Sequence, residues 1–133
     1  MRLKKCYFII LVICSQVYGQ EQIYFDHITT DDGLSQSDIN GIYQDKQGFM
    51  WFGTHDGLNK FDGYDFTVFK PDNNKANSIS SNLIYDVVGD KNGNLWIGTT
   101  GGGLNYFDQA SQTFTQYKNE LNNESSLSNN HIT

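Results

Sequence analysis

The chain has 133 residues, with nine Lys and Arg against fifteen Asp and Glu, a formal net charge of −6. Acidity scattered in this way leaves no basic footprint for nucleic acid or for an anionic membrane surface, and it reads as solubility. The length lets one small domain bury a core, but not two.

In chain order the first segment is a leader, residues 1–19. Arg2, Lys4 and Lys5 precede an unbroken apolar run, Cys6–Cys14, and small Gly19 stands just before Gln20. That is the layout of a secretory signal peptide. The apolar run falls well short of the ~20 residues that a membrane-spanning helix needs. Bulky Ile13 ahead of Cys14 argues against a lipoprotein site. Cleavage would remove both cysteines, leaving neither a disulfide framework nor a thiolate metal site. It would also leave six basic residues against fifteen acidic ones, a net charge of −9. The expected product is periplasmic, with no membrane segment after cleavage.

Residues 20–34 follow. Tyr24-Phe25-Asp26-His27-Ile28, then a turn and Leu34-Ser35, imitate the end of a later unit, Phe66–Phe69 followed by Ile79-Ser80. This predicts an outermost closing strand without the strands that would precede it.

Two repeats organise the rest. With no gap, Ser35, Ile39, Asp45, Lys46, Gly48, Trp51, Gly53 and Thr54 fall on Ser80, Ile84, Asp90, Lys91, Gly93, Trp96, Gly98 and Thr99. One added residue aligns Gly-Leu-Asn-Lys-Phe-Asp (57–62) with Gly-Leu-Asn-Tyr-Phe-Asp (103–108). The first unit, 35–78, predicts strands over Asp38–Gln44, Phe49–Thr54, Leu58–Asp62 and Phe66–Lys70. The second, 79–126, predicts Leu83–Gly89, Asn94–Thr99, Leu104–Asp108 and Thr113–Lys118. β-Branched and aromatic residues fill these runs and turn residues separate them. In Asp45-Lys-Gln-Gly48 and Asp90-Lys-Asn-Gly93, Asp can accept from backbone N–H groups while Gly tolerates positive φ. Leu127–Ile132 aligns with Ile79–Ile84, so residues 127–133 begin a third unit. Four strands in about 45 residues is the period of a propeller blade. Helical repeats of similar period are excluded by the glycines and by the missing helical apolar spacing. The expected fold is all-β: an incomplete β-propeller of two four-stranded blades, a closing strand and the start of a third blade.

The phrases Asp-Lys-Gln-Gly-Phe-Met-Trp-Phe-Gly-Thr and Asp-Lys-Asn-Gly-Asn-Leu-Trp-Ile-Gly-Thr, each followed by Gly-Leu-Asn-x-Phe-Asp, resemble the two-component regulator propeller repeat. The opening Phe25–Ser35, with Asp32-Gly33-Leu34-Ser35, looks like the start of the periplasmic sensor region of hybrid two-component regulators. The resemblance implies an extracytoplasmic sensor of glycan breakdown products. In that family a membrane helix, histidine kinase, receiver and DNA-binding domain follow, and no residue here matches them.

Each candidate site has a structural counterpart reading. Trp51 and Trp96 could stack on sugars, but their shared repeat position suits packing between blades. Asp45 and Asp90 could be paired carboxylates, yet each precedes a turn glycine, which suits turn formation. Asp90–Asn94 lacks the glycine and closing Glu of a calcium loop. Gly98–Gly103 lacks the Lys-Ser/Thr and the helix of a phosphate cradle. His27, His55 and His131 sit in three unrelated contexts without metal spacing. His55 and Asp56 replace Thr100 and Gly101 of the other unit, so the repeat does not dictate them. They are the candidate ligand contacts, because function in propellers favours loops that depart from the repeat; the structural counterpart, which the residues favour, is an ordinary exposed loop histidine.

These residues predict a binding module, with no catalytic group, cofactor or metal in this chain. Its expected partners are an oligosaccharide, the missing blades, and other copies through open edges. The alternatives are a fragment of a propeller hydrolase or lyase, and a truncated product with no role of its own.

Overall fold

A computed structural model describes residues 22–133, so the leader expected over residues 1–19 lies outside the described residues. Its eight strands are β1 (Ile39–Gln44), β2 (Met50–Thr54), β3 (Gly57–Phe61), β4 (Phe66–Phe69), β5 (Ile84–Gly89), β6 (Leu95–Thr99), β7 (Gly103–Asp108) and β8 (Thr113–Tyr117). They form two four-stranded antiparallel sheets in simple meander order, β1–β4 and β5–β8. These are two blades of a β-propeller, and every boundary lies within one residue of the sequence expectation.

Turn chemistry sets those boundaries. Asp45 Oδ1 accepts from the backbone N–H of Gln47 and of Phe49, both at 3.0 Å. Asp90 Oδ1 accepts from Asn92 N at 2.7 Å and Asn94 N at 2.9 Å. Gly48 and Gly93 close these turns with φ of 93° each, a backbone that L side chains rarely adopt. Asp62 and Asp108 repeat the device in the β3–β4 and β7–β8 turns.

Register then assigns the faces, since residues paired across strands share one side. Tyr43, Trp51, Gly53, Leu58 and Phe69 form one face of the first blade. Ile84, Val87, Leu95, Ile97, Phe107 and Phe114 form the opposing face of the second. Together with Ile79 they make the core. Trp51 stacks on Phe69 at 5.9 Å and meets the edge of Phe107 at 5.6 Å. Glycine brings the sheets close: a Cβ on Gly53 would stand 2.6 Å from Ile84 Cγ2, and the Tyr43 hydroxyl seats on Gly89. Each large buried side chain here contributes about 1.5–3 kcal/mol.

Three expectations need correction. Tyr24–Ile28 forms no strand, and Ile23, Tyr24 and Phe25 are largely exposed, because no sheet among the described residues presents an edge to them. A strand needs a partner to exist. Residues Thr30–Asp32 instead make a short 3₁₀ turn capped reciprocally by Thr29 and Asp32. Trp96 does not share the burial of Trp51; it is half-buried on the outer face of the second blade, against Tyr106 and Tyr117. Thirdly, His55 and His131 do not lie in unrelated contexts, as their positions below show. Leu127–Ile132 does begin to repeat the inter-blade pattern: Ile132 Cγ2 lies on Gly98 as Ile84 lies on Gly53, and Ile132 N donates to Thr99 O at 3.1 Å.

Candidate functional site

The β2–β3 and β6–β7 turns lie at the same end of their sheets and meet the loop that enters the next unit. Gly57 N donates to Asn82 O at 2.7 Å, and Gly103 N donates to Asn130 O at 2.8 Å. At the first seam stand His55, Asp56, Lys70 and Asn82. Thr54 Oγ1 accepts from Asp56 N at 3.0 Å, which fixes the turn. Lys70 Nζ reaches Asp56 Oδ2 at 2.7 Å, and Asn82 Nδ2 stands 3.5 Å from Asp56 Oδ1. His55 is left exposed above them.

At the second seam Thr100 pairs with His131 in an isolated bridge, and Lys118 occupies the position of Lys70 with Gly101 opposite in place of Asp56. Two of the three histidines therefore stand on one rim. Periodicity hid this, because His131 enters from the third unit and His55 from the first.

The ammonium of Lys70 holds the Asp56 carboxyl below its ordinary value of 3.8, with Asn82 adding to the effect. A carboxylate so held is a poor proton donor near neutral pH. The rim thus offers fixed hydrogen-bond donors and acceptors. No cluster of three metal-ligating side chains occurs among the described residues.

The structure places the repeated residues elsewhere. Asp45 is buried at the opposite end, where its Oδ2 accepts from Trp51 Nε1 at 2.9 Å and from Gln109 Nε2 of the second blade at 3.3 Å. Asp90 Oδ2 instead accepts from the Tyr106 hydroxyl at 3.4 Å. Thr54 and Thr99 donate to Gly57 O and Gly103 O across their turns, at 3.0 and 2.7 Å. Asn59 and Asn105, fully buried, accept from Ser35 N and Ser80 N, both at 2.9 Å, and donate back to the same serines' Oγ. Their role was not read from the sequence, although both sit in the repeated Gly-Leu-Asn phrase.

A profile described as "Two component regulator propeller" matches residues 33–56 and 78–101, one stretch in each blade. Those two stretches are matched as two-component regulator propeller repeats. Its fold is similar to the extracellular domain of the hybrid two-component system BT3049 of B. thetaiotaomicron, with a TM-score of 0.76 and 36% identity over 81% of this chain and 15% of that one. The extracellular domain of BT4673 from the same organism is similar at a TM-score of 0.50, with 30% identity over 60% of this chain and 11% of that one. "Histidine kinase P4" of Formosa agariphila is 50% identical over 56 residues, 42% of this chain and 4% of that protein. The chain thus spans a small part of the length of the proteins it matches.

Four carboxylates also carry an acid dependence. Asp90 is held below 3.8 chiefly by the Asn94 N–H, Asp62 by those of Asp65 and Tyr64, Asp32 by Thr29, and Asp56 by Lys70. Folded values below the unfolded one stabilise the protein above 3.8, and that stability is lost as pH falls through the folded values. Melting temperature is therefore expected to stay level from neutral down to about pH 5 and to drop below about pH 4. Equal melts at about pH 5 and about pH 3 would contradict this assignment.

Proposed function

We propose that this chain is part of the extracytoplasmic, ligand-binding propeller of a hybrid two-component regulator, exported by its leader, and that its ligand is an oligosaccharide from glycan breakdown. The observation that carries the reading is the rim. Where the two repeats agree, their residues build turns and core; where they differ, at His55-Asp56 against Thr100-Gly101, they put polar groups at the mouth of the blade seam. Amide, imidazole and an ionised carboxylate–ammonium pair suit the hydroxyls of a sugar. Kinship to extracellular domains of two-component systems supports the sensor role.

Titration calorimetry of the sensor region with a panel of oligosaccharides tests it. His55→Ala and Asp56→Asn should each weaken binding roughly tenfold, as expected for loss of a hydrogen bond to a charged or polar partner, with an unchanged melt for His55→Ala and one only slightly lowered for Asp56→Asn, which loses its surface pair with Lys70. Unaltered affinity in both variants would move the ligand away from this rim.

A further inference from the structure

We propose that the cleft between the two blades, at the end opposite the rim, is a second ligand site. It takes the anionic group of an acidic sugar, a carboxylate or a sulfate, on the ammonium of Lys60. The cleft, about 290 Å³, draws on both blades: Gln47, Phe49 and Lys60 come from the first, and Asn92, Gln109 and Gln112 from the second. Lys46 Nζ donates to Lys91 O across the same seam, which ties the two turns together.

The two blades differ at this wall. In the second, Asn94 Nδ2 donates to the Tyr106 hydroxyl at 2.6 Å, and that hydroxyl reaches Asp90, so the polar groups satisfy one another. The first blade has Phe49 and Lys60 at the positions of Asn94 and Tyr106. Lys60 pairs with Trp51 across the strands, and its Nζ stands 3.7 Å from the centre of the Phe49 ring. An aromatic face attracts an ammonium but does not neutralise it. The ion pairs among the described residues are Lys70–Asp56 and Lys75–Asp72, so Lys60 has no carboxylate of its own. Asp62 feels its charge, but Asp62 Oδ1 already accepts from Tyr64 N and Asp65 N. Amides surround the cation. Gln109 Nε2 donates to Gly93 O at 2.6 Å and to Asp45 Oδ2 at 3.3 Å, which fixes that side chain and leaves its Oε1 for a hydroxyl. Gln112 Nε2 donates to Gln109 O at 2.7 Å, and Gln112 holds a φ of 56°, a backbone that L side chains seldom adopt. The anion in this assignment rests on Lys60; the sugar rests on the oligosaccharide reading above.

Titration calorimetry of the full-length protein tests it, with a uronate disaccharide, a sulfated disaccharide and an uncharged disaccharide as probes. At least one acidic probe should bind more tightly than the uncharged one, with an affinity that falls as salt rises. Which acidic probe binds tells carboxylate from sulfate. Lys60→Gln should weaken that binding roughly tenfold or more, Lys60→Arg should keep most of it, and His55→Ala should leave it unchanged. Asn92→Asp puts a like charge in the cleft while the backbone N–H of the turn still reaches Asp90, and it should weaken the acidic probe as well. Binding of neither acidic probe, equal affinity for charged and uncharged probes, or a Lys60→Gln variant that binds like the parent overturns the proposal. So does acidic binding that follows His55 instead of Lys60, which seats the sugar on the rim. The two readings fail separately. Uncharged sugar that binds through His55 keeps the rim when the cleft fails, and acidic sugar that binds through Lys60 keeps the cleft when the rim fails.

Discussion

Trp51→Ala is expected to melt far below the parent chain, while Trp96→Ala melts only slightly below it. Trp51 is completely buried and packs on Phe69 and Phe107 across the blade boundary. Its indole N–H satisfies buried Asp45. Removing the ring opens a cavity between the sheets and costs about 3–5 kcal/mol. Single domains hold only about 5–15 kcal/mol in total, so a chain of this size would lose much of its stability. Trp96 has the same place in the repeat, but among the described residues its outer side meets only an open cavity lined by residues up to Leu127. Its truncation loses contacts with Tyr106 and Tyr117 and should cost about 1–2 kcal/mol. Thermal melts followed by circular dichroism compare the two directly. Equal shifts would show that repeat position, rather than the neighbouring blade, sets the burial.

Asp45→Ala should rank next. Its carboxylate accepts from Gln47 N, Phe49 N, Trp51 Nε1 and Gln109 Nε2. Alanine leaves these donors without the acceptor, the indole N–H among them in a buried setting. Each buried orphan costs about 1–3 kcal/mol, so a loss of about 3 kcal/mol overall is expected. Asn at this position keeps one oxygen for the turn but points an amide N–H₂ at the indole and at Gln109. It should fall between the parent and alanine. Asp90→Ala should cost less, since Asp90 is more open and bonds no tryptophan. Urea unfolding of the three variants gives the order, and a larger loss in Asp90→Ala would break the argument.

The strands were legible because their limits are local. Asp and Gly at fixed offsets stop one strand and start another, and no distant contact is needed to place them. Burial was legible only where the neighbouring blade is present. The sequence equates Trp51 with Trp96 and Tyr24–Ile28 with Phe66–Phe69, but equal position does not supply equal surroundings. Asn59 and Asn105 went unread for the opposite reason. An amide inside a strand looks like an exposed polar residue until its partners, Ser35 and Ser80, are brought in from far upstream. The rim was half legible: departure from the repeat singled out His55 and Asp56, while Lys70 and Asn82 joined them only through the fold.

Those buried asparagines also shift the boundary of the heritable module. Ser35 bonds to Asn59 and Ser80 to Asn105, so each sheet is tied to chain that precedes its first strand. The loop before the second blade holds Ile79 wholly inside the core as well. A gene duplication cut at Ile39 or Ile84 would copy a sheet without its fastening. Cut ahead of Leu34 and Ile79, it copies a blade together with the segment that locks it, so lengthening such an array by recombination favours joints within 72–77, where the loop is mostly exposed and closed by its own Asp72–Ser78 bonds.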